Sequence, residues 1–182
     1  EAYYAHTPGL TVVSPSNPQD AYSLLRAAIA SPDPVIFMEP KKLYWSKGVV
    51  DTSITADLRR ASVVREGTDV TLISYGPSVT VALEAAEALA AEGRSAQVVD
   101  VRTLTPFDDQ TVSDAVRGTG RAVVIAEAPG FASVASEIQA RVFEQCFEYL
   151  EAPVRRVTGF DTPFASPKFE HWYLPDVDRV LD

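Results

Sequence analysis

Few side chains in this sequence are of the kind that do chemistry, and their spacing keeps them apart. The single cysteine, Cys146, lies in the helical-looking stretch from Ser136 to Tyr149, beside apolar neighbours. A thiol becomes a nucleophile when a base or cation holds it as thiolate, and the only histidines, His6 and His171, are far from it in sequence. Cys146 therefore reads as a buried, inert thiol of a reducing compartment, unable to form an internal disulfide. His6 stands in Tyr4-Ala5-His6-Thr7-Pro8-Gly9 and reads as a hydrogen-bonded group beside a turn; His171, between Glu170 and Trp172, reads as a surface or packing residue. No His/Cys/Asp/Glu group has zinc-ligand spacing. Carboxylates gather near the end at Glu170, Asp176, Asp178 and Asp182, with nothing that pairs them for acid–base work. Neither the Gly-x-Gly-x-x-Gly turn nor the Gly-x-x-x-x-Gly-Lys-Ser/Thr loop occurs. One stretch, Glu127-Ala128-Pro129-Gly130-Phe131-Ala132-Ser133, has the form of a strand-to-helix turn whose free N–H groups suit an anion. The alternative there is an ordinary tight turn with Gly130 at the bend.

The elements that must position these groups alternate. Thr11–Val13 is extended, Ser14-Pro15-Ser16-Asn17-Pro18 turns, and Gln19 to Ala30 carries Ala21, Leu24, Leu25, Ala28 and Ile29 at helical spacing, with Ser16 or Asn17 as cap. Pro32 and Pro34 stop that helix before a strand at Val35–Met38. From Glu39 to Arg60 periodicity fades over a stretch too long for an ordinary connection, which reads as an interdomain crossing. Beyond it, strands at 70–75, 96–101, 121–127 and 154–157 alternate with helices at 79–91, 106–116 and 134–149, the first of them stopped by Gly93. Alternation of this kind implies a parallel sheet with helices on its faces, because parallel neighbours need crossover connections. The expected division is residues 1–61, the back end of one α/β domain with its crossing, and 62–182, a small doubly wound domain. One βα repeat cannot cover both faces of its own sheet, so the first part should leave apolar area exposed.

Composition sets the outer bounds. At 182 residues, 46% hydrophobic and 23% charged, the chain has ordinary globular composition, not that of a disordered or collagenous one. Its longest apolar runs, such as Ala122–Ala126, fall far short of a bilayer span, and neither a membrane nor a secretion signal is expected. The net charge of −9 is uneven: residues 1–61 balance six acids with six bases, whereas residues 62–182 hold nineteen acids and ten bases. That excess argues against a nucleic-acid partner, which needs Lys and Arg to neutralise phosphate. It points to solvation or to a basic protein partner.

In order and spacing, the chain resembles the beta subunit of the thiamine diphosphate-dependent 2-oxo acid dehydrogenase component. The resemblance runs nearly end to end. It is carried by Glu1 to Leu10, by Val13-Ser14-Pro15-Ser16 with Asp20-Ala21, by Asp33 to Lys41, and by Glu66 to Leu72. It continues through Val98-Val99-Asp100-Val101-Arg102-Thr103-Leu104-Thr105-Pro106, Glu127-Ala128-Pro129, Ala135 to Ile138 and Glu151-Ala152-Pro153. Glu39 to Tyr44, Gly159 to Phe164 and Tyr173 to Asp176 are most similar to the branched-chain type; pyruvate and acetoin types share most of the frame.

The resemblance implies an α/β fold: part of a pyrimidine-binding α/β domain, then a doubly wound transketolase-like C-terminal domain with a mostly parallel sheet. It implies oxidative decarboxylation of branched-chain 2-oxo acids with acyl transfer to lipoamide, using thiamine diphosphate and Mg. The family's catalytic histidine, in a His-Ser-Gln stretch, and its glutamate lie upstream of Glu1, so His6 does not inherit that role. These 182 residues are then expected to be the C-terminal part of a longer subunit, inactive alone, with the diphosphate and Mg held by the partner alpha subunit. Implied partners are that alpha subunit, a second beta subunit and the basic binding domain of the dihydrolipoyl acyltransferase core, docked near Glu170, Asp176 and Asp178. A structural monovalent cation, K, is implied at Ala28, Ser31 and Asp33, where an ordinary helix stop is the alternative. The compartment implied is the cytoplasm in a bacterium or the mitochondrial matrix in a eukaryote. A reading of another class also stands, a non-catalytic protein-binding α/β module.

Overall fold

The computed structural model describes residues 1–182. After a short helix α1 (Ala2–Ala5), strand β1 (Thr11–Val13) leads into helix α2 (Pro18–Ala30) and returns as β2 (Val35–Phe37), parallel to β1. Helix α2 starts where Asn17 accepts a hydrogen bond from the Asp20 amide at 2.9 Å, with Pro18 in the first helical position, where its missing N–H costs nothing. The crossing expected after Glu39 contains one 3-10 turn, Lys41–Leu43, and otherwise no regular element before β3 (Ser62–Arg65).

The larger sheet has the order β3-β5-β4-β7-β8, built from β4 (Val70–Ser74), β5 (Ala96–Asp100), β7 (Ala122–Pro129) and β8 (Arg155–Gly159) beside β3. All its pairings are parallel except β3 with β5. Successive side chains point to opposite faces of a strand, and here both faces are covered. Leu72, Val98 and Ile125 face helix α3 (Ser78–Ala91), whose Ala82, Ala85 and Ala86 let it approach closely. Ile73, Val99 and Val124 face helices α4 (Asp109–Thr119) and α5 (Val134–Cys146), which contribute Val112, Val116, Ile138 and Val142. Helix α3 ends as expected at Gly93, which takes a left-handed φ of 79°. Gly67 has another reason: a Cβ there would lie 2.2 Å from the Ala96 carbonyl carbon.

Two strands escape the sequence pattern. Strand β3 is antiparallel at an edge, and β6 (Thr103–Thr105) leaves the larger sheet to pair antiparallel with β1, giving a second sheet of order β2-β1-β6. A segment beyond residue 62 thus completes the N-terminal sheet, and Val12 of β1 lies in the same apolar cluster as Ile73, Val99 and Val124. Helix α4 begins at Asp109, later than the Pro106 start expected, because Asp108 provides the cap by accepting from the Thr111 amide at 3.1 Å. Two short helices, α6 (Glu170–Tyr173) and α7 (Val177–Leu181), close the chain, and α7 lays Val177 and Val180 against the cluster under α3.

The three-stranded part leaves apolar area uncovered. Of the helical-spaced apolar residues in α2, Leu24 is fully buried, while Leu25 is 40% and Ile29 77% exposed. No helix of the structure is long and apolar enough to cross a membrane.

Candidate functional site

In the larger sheet the chain leaves β4 for β5 on one side and later arrives at β7 on the other side of β4. The carboxyl ends of β4 and β7 are therefore the topological switch point, where open α/β sheets leave a crevice. A cleft of about 160 Å³ opens there, lined by Tyr75 and Ser78 after β4, by Glu127 of β7, and by Glu1, Ser14 and Pro40 of the N-terminal part. The Tyr75 hydroxyl donates to Glu1 Oε1 at 2.8 Å. Burial, and then the charge of Glu1, push the Tyr75 hydroxyl well above the usual tyrosine range. Glu127 is also shifted upward, by burial first and then by the charges of Glu170 and Glu1, against the opposing pull of Lys42, whose Nζ lies 3.8 Å from Glu127 Oε1. The cleft holds carboxylates, a phenol, hydroxyls and one nearby lysine, with no histidine or thiol to act as base or nucleophile. Its chemistry is that of charge and hydrogen bonding.

A second polar group lies in the seam between the two sheets. Asp100, at the carboxyl end of β5, is fully buried; it accepts hydrogen bonds from the Ser16 hydroxyl and, at 3.0 Å, from the Arg102 amide. The Arg102 guanidinium reaches Asp20 Oδ1 of α2 at 3.3 Å and the Arg60 and Ala61 carbonyls at 2.8 and 3.3 Å. Arg102 sits at φ 58°, a left-handed conformation that costs a non-glycine residue energy. The surrounding bonds hold it there: its own carbonyl accepts from the Ser14 amide of the other sheet at 2.8 Å. Burial raises the Asp100 carboxyl to about 7, with the Asp20 charge adding to the rise and the Ser16 and Arg102 bonds opposing it. Sequence reasoning missed this group and the cleft. The available signals were an aspartate inside the apolar run Val98-Val99-Asp100-Val101 and the placement of Glu127 at a strand end.

The sequence-predicted residues are not brought together. Cys146 is fully buried, with Sγ 3.6 Å from the Ser113 carbonyl, as expected of an inert thiol. His6 is exposed at the end of α1, and His171 is exposed against Trp172, ring centroids 5.1 Å apart. In the 127–133 turn the chain bends at Gly130 as expected, and Ala132 takes the left-handed conformation, at φ 49°. Glycine stands at 130 because a Cβ would lie 2.9 Å from Thr158 Oγ1. The turn is also tied internally: the Gly130 carbonyl accepts from Ser133, Ser136 and Arg156, the Phe131 amide donates to Asp161 at 2.9 Å, and Ser133 caps α5 by accepting from the Ser136 amide at 3.2 Å. At the end of α2 the Ser31 amide donates to the Ala28 carbonyl at 3.3 Å, and the Ser31 hydroxyl lies 3.2 Å from both the carbonyl oxygen and the amide of Asp33. No cluster of three or more His, Cys, Asp or Glu is arranged to hold a metal ion. Asp176 caps α7 by accepting from the Arg179 amide at 2.9 Å, Asp178 is exposed, and Glu170 is half-buried where its charge reaches Glu127.

A doubly wound sheet whose carboxyl edge faces a second, smaller α/β unit is the architecture of transketolase-type proteins. The chain belongs to the transketolase C-terminal domain family: that family's model matches residues 59–180, and the transketolase pyrimidine-binding domain model matches residues 1–46. Beta subunits of 2-oxo acid dehydrogenases are its homologues. The chain is 55% identical over its whole length to the pyruvate dehydrogenase E1 component subunit beta of Leifsonia xyli, covering 54% of that protein. It is 46% identical, again over its whole length, to the 3-methyl-2-oxobutanoate dehydrogenase subunit beta of Mycobacterium tuberculosis, covering 53% of it. A solved structure described as a split-gene transketolase, inactive beta4 tetramer, superimposes with a TM-score of 0.81 at 27% identity over 99% of this chain and 57% of the other. The chain thus spans about half the length of the relatives it matches.

Proposed function

We propose that these residues form the C-terminal part of the beta subunit of a thiamine diphosphate-dependent 2-oxo acid dehydrogenase, the component that decarboxylates a 2-oxo acid and passes the acyl group to lipoamide. The observation that carries this reading is identity of 46–55% along the entire chain to beta subunits of two such enzymes. Within the assembly this part supplies subunit pairing and a docking face. The open face of α2, with Leu25 and Ile29, suits pairing with another subunit. The acidic end, with Glu170, Asp176 and Asp178, suits a basic binding domain of the acyltransferase core.

The cofactor does not fit the residues present. A diphosphate needs cations or a row of free N–H donors, and the switch-point cleft presents Glu1 and Glu127 with a single lysine nearby. These side chains repel a diphosphate. The diphosphate and its metal belong, on this reading, to the alpha subunit, and no chemical step is assigned to this chain.

For the substrate, the stretches Glu39 to Tyr44, Gly159 to Phe164 and Tyr173 to Asp176 favour a branched-chain 2-oxo acid. A second reading, pyruvate, is favoured by the 55% identity to a pyruvate dehydrogenase subunit. The deciding experiment is reconstitution of the full-length beta subunit with its alpha subunit, followed by decarboxylation assays on 3-methyl-2-oxobutanoate and on pyruvate. A higher kcat/KM for the branched acid supports the first reading, and a higher value for pyruvate supports the second. A properly assembled, cofactor-loaded tetramer that turns over neither would refute both and leave the protein-binding module.

A further inference from the structure

We propose that Asp100 is a proton-operated latch across the seam between the two sheets, with Asp20 as the like charge that biases it: a proton held on Asp100 keeps the seam closed, and its loss loosens β1 and α2 from the carboxyl edge of β5. The charge count leads to this directly. Two carboxyls, one fully buried and the other 8% exposed, meet a single guanidinium, that of Arg102. Arg102 is committed to Asp20 at 3.3 Å and to the carbonyls of Arg60 and Ala61. The remaining neighbours bring no second cation. Ser16 and Asn17 are neutral, the opposing strand residues Ser62 and Ser74 are neutral, and the Arg60 guanidinium is paired with Asp108 at 3.6 Å. With both acids ionised, the seam buries one uncompensated negative charge, an arrangement low-dielectric surroundings penalise heavily.

The two sides of the seam belong to different sheets, so opening it is a local event and not global unfolding. Ser16 and Asp20 sit on the β1–α2 side and Asp100 and Arg102 on the β5 side, with the Ser14 amide to Arg102 carbonyl bond as the adjoining backbone link. The sign follows from the raised carboxyl. A closed seam binds the proton more tightly than an open one, so closure is strongest below the ordinary aspartate range near 4 and weakens as pH rises toward about 7. If opening exposes Asp100 to water, raising the pH from 5.5 to 8.5 increases the opening equilibrium about thirtyfold.

Hydrogen exchange on the intact chain at the two pH values, corrected for the intrinsic pH dependence of exchange, tests the latch. Protection of the Ser14 amide, the backbone bond that crosses the seam, is expected to fall about thirtyfold in the wild type between pH 5.5 and 8.5, while β4–β7 amides hold. Asp100→Asn, which keeps the shape and cannot ionise, should show the same protection at both values. Equal pH responses in wild type and variant overturn the proposal. If that variant does not fold, Asp20→Asn serves: it removes the like charge, and the transition must move to lower pH. A transition that stays in place overturns the latch.

Discussion

Gly159 ends β8 where the strand meets both the wall of the switch-point cleft and the C-terminal helices, and replacing it with alanine tests that packing. Its φ is not left-handed, so the effect of a side chain is steric alone. A Cβ would lie 2.5 Å from the Glu127 carbonyl oxygen and 2.7 and 2.8 Å from two ring carbons of Tyr173. One obstacle is backbone of the neighbouring strand and cannot rotate away. The other is a ring, 4% exposed, held against Phe164 with centroids 4.9 Å apart and against Phe160 at 6.4 Å. Overpacking of a well-filled site costs about 1–3 kcal/mol, and a backbone obstacle places Gly159→Ala in the upper half of that range. At roughly 2–4 °C per kcal/mol for a chain of this size, Tm should fall by roughly 4–12 °C in a calorimetric scan. In a Tyr173→Ala background one obstacle is gone, so the added cost of Gly159→Ala should shrink by about 1 kcal/mol. A single variant melting within about 1 °C of wild type, or a double variant showing strict additivity, would refute the steric reasoning.

Asp108 offers a pH-dependent test. It accepts from the Thr111 hydroxyl at 2.6 Å and the Ala61 amide at 2.9 Å; burial alone would raise its carboxyl, but these bonds and the Arg60 charge hold it below the usual range. Asp108→Ala should cost about 2–3 kcal/mol in urea unfolding, from a lost helix cap and an orphaned buried amide. Because its folded-state value is lowered, the advantage of the wild type over Asp108→Asn should be full at pH 7 and shrink as pH falls below about 4. An advantage that persists unchanged at acid pH would count against the assignment. At the acidic end, Glu170→Gln with Asp178→Asn in the full-length subunit should slow association with a basic binding domain about three- to tenfold at low salt and little at high salt. An unchanged rate in stopped-flow mixing would remove these residues from the docking face.

The parts legible in the sequence are those fixed locally. Leu72-Ile73, Val98-Val99 and Val124-Ile125 present apolar side chains to both faces, which only a strand covered on both sides requires. Asn17 before Pro18 and the glycine after α3 mark helix ends by their own backbone chemistry. Strands β3 and β6 were not legible: they are short, mix Ser, Thr and Arg with apolar residues, and exist because a partner strand is there to bond them. Helices α6 and α7 are similarly brief and depend on Tyr173 finding a buried place and Val177 a partly buried one. Of the site, the burial of Cys146 was legible from its neighbours. The seam was not, because Asp100 acquires its character from burial and then from Ser16 and Asp20, which lie 84 and 80 positions away in the chain.

Parallel topology explains why the unusual acids share one edge. Strands β4, β5 and β7 run the same way, so Tyr75, Asp100 and Glu127, each at or just past a carboxyl end, all come to the side where β1 and α2 dock. On that edge helices α3 and α5 begin, and their N-terminal ends carry partial positive charge that offsets a row of carboxylates. The compensation is incomplete, since burial still raises Asp100 and Glu127. An edge of this kind tolerates a cationic neighbour and resists an anionic one. That polarity sets the division of labour proposed for the assembly: the diphosphate is held elsewhere, and this chain meets its partners through apolar pairing and negative charge.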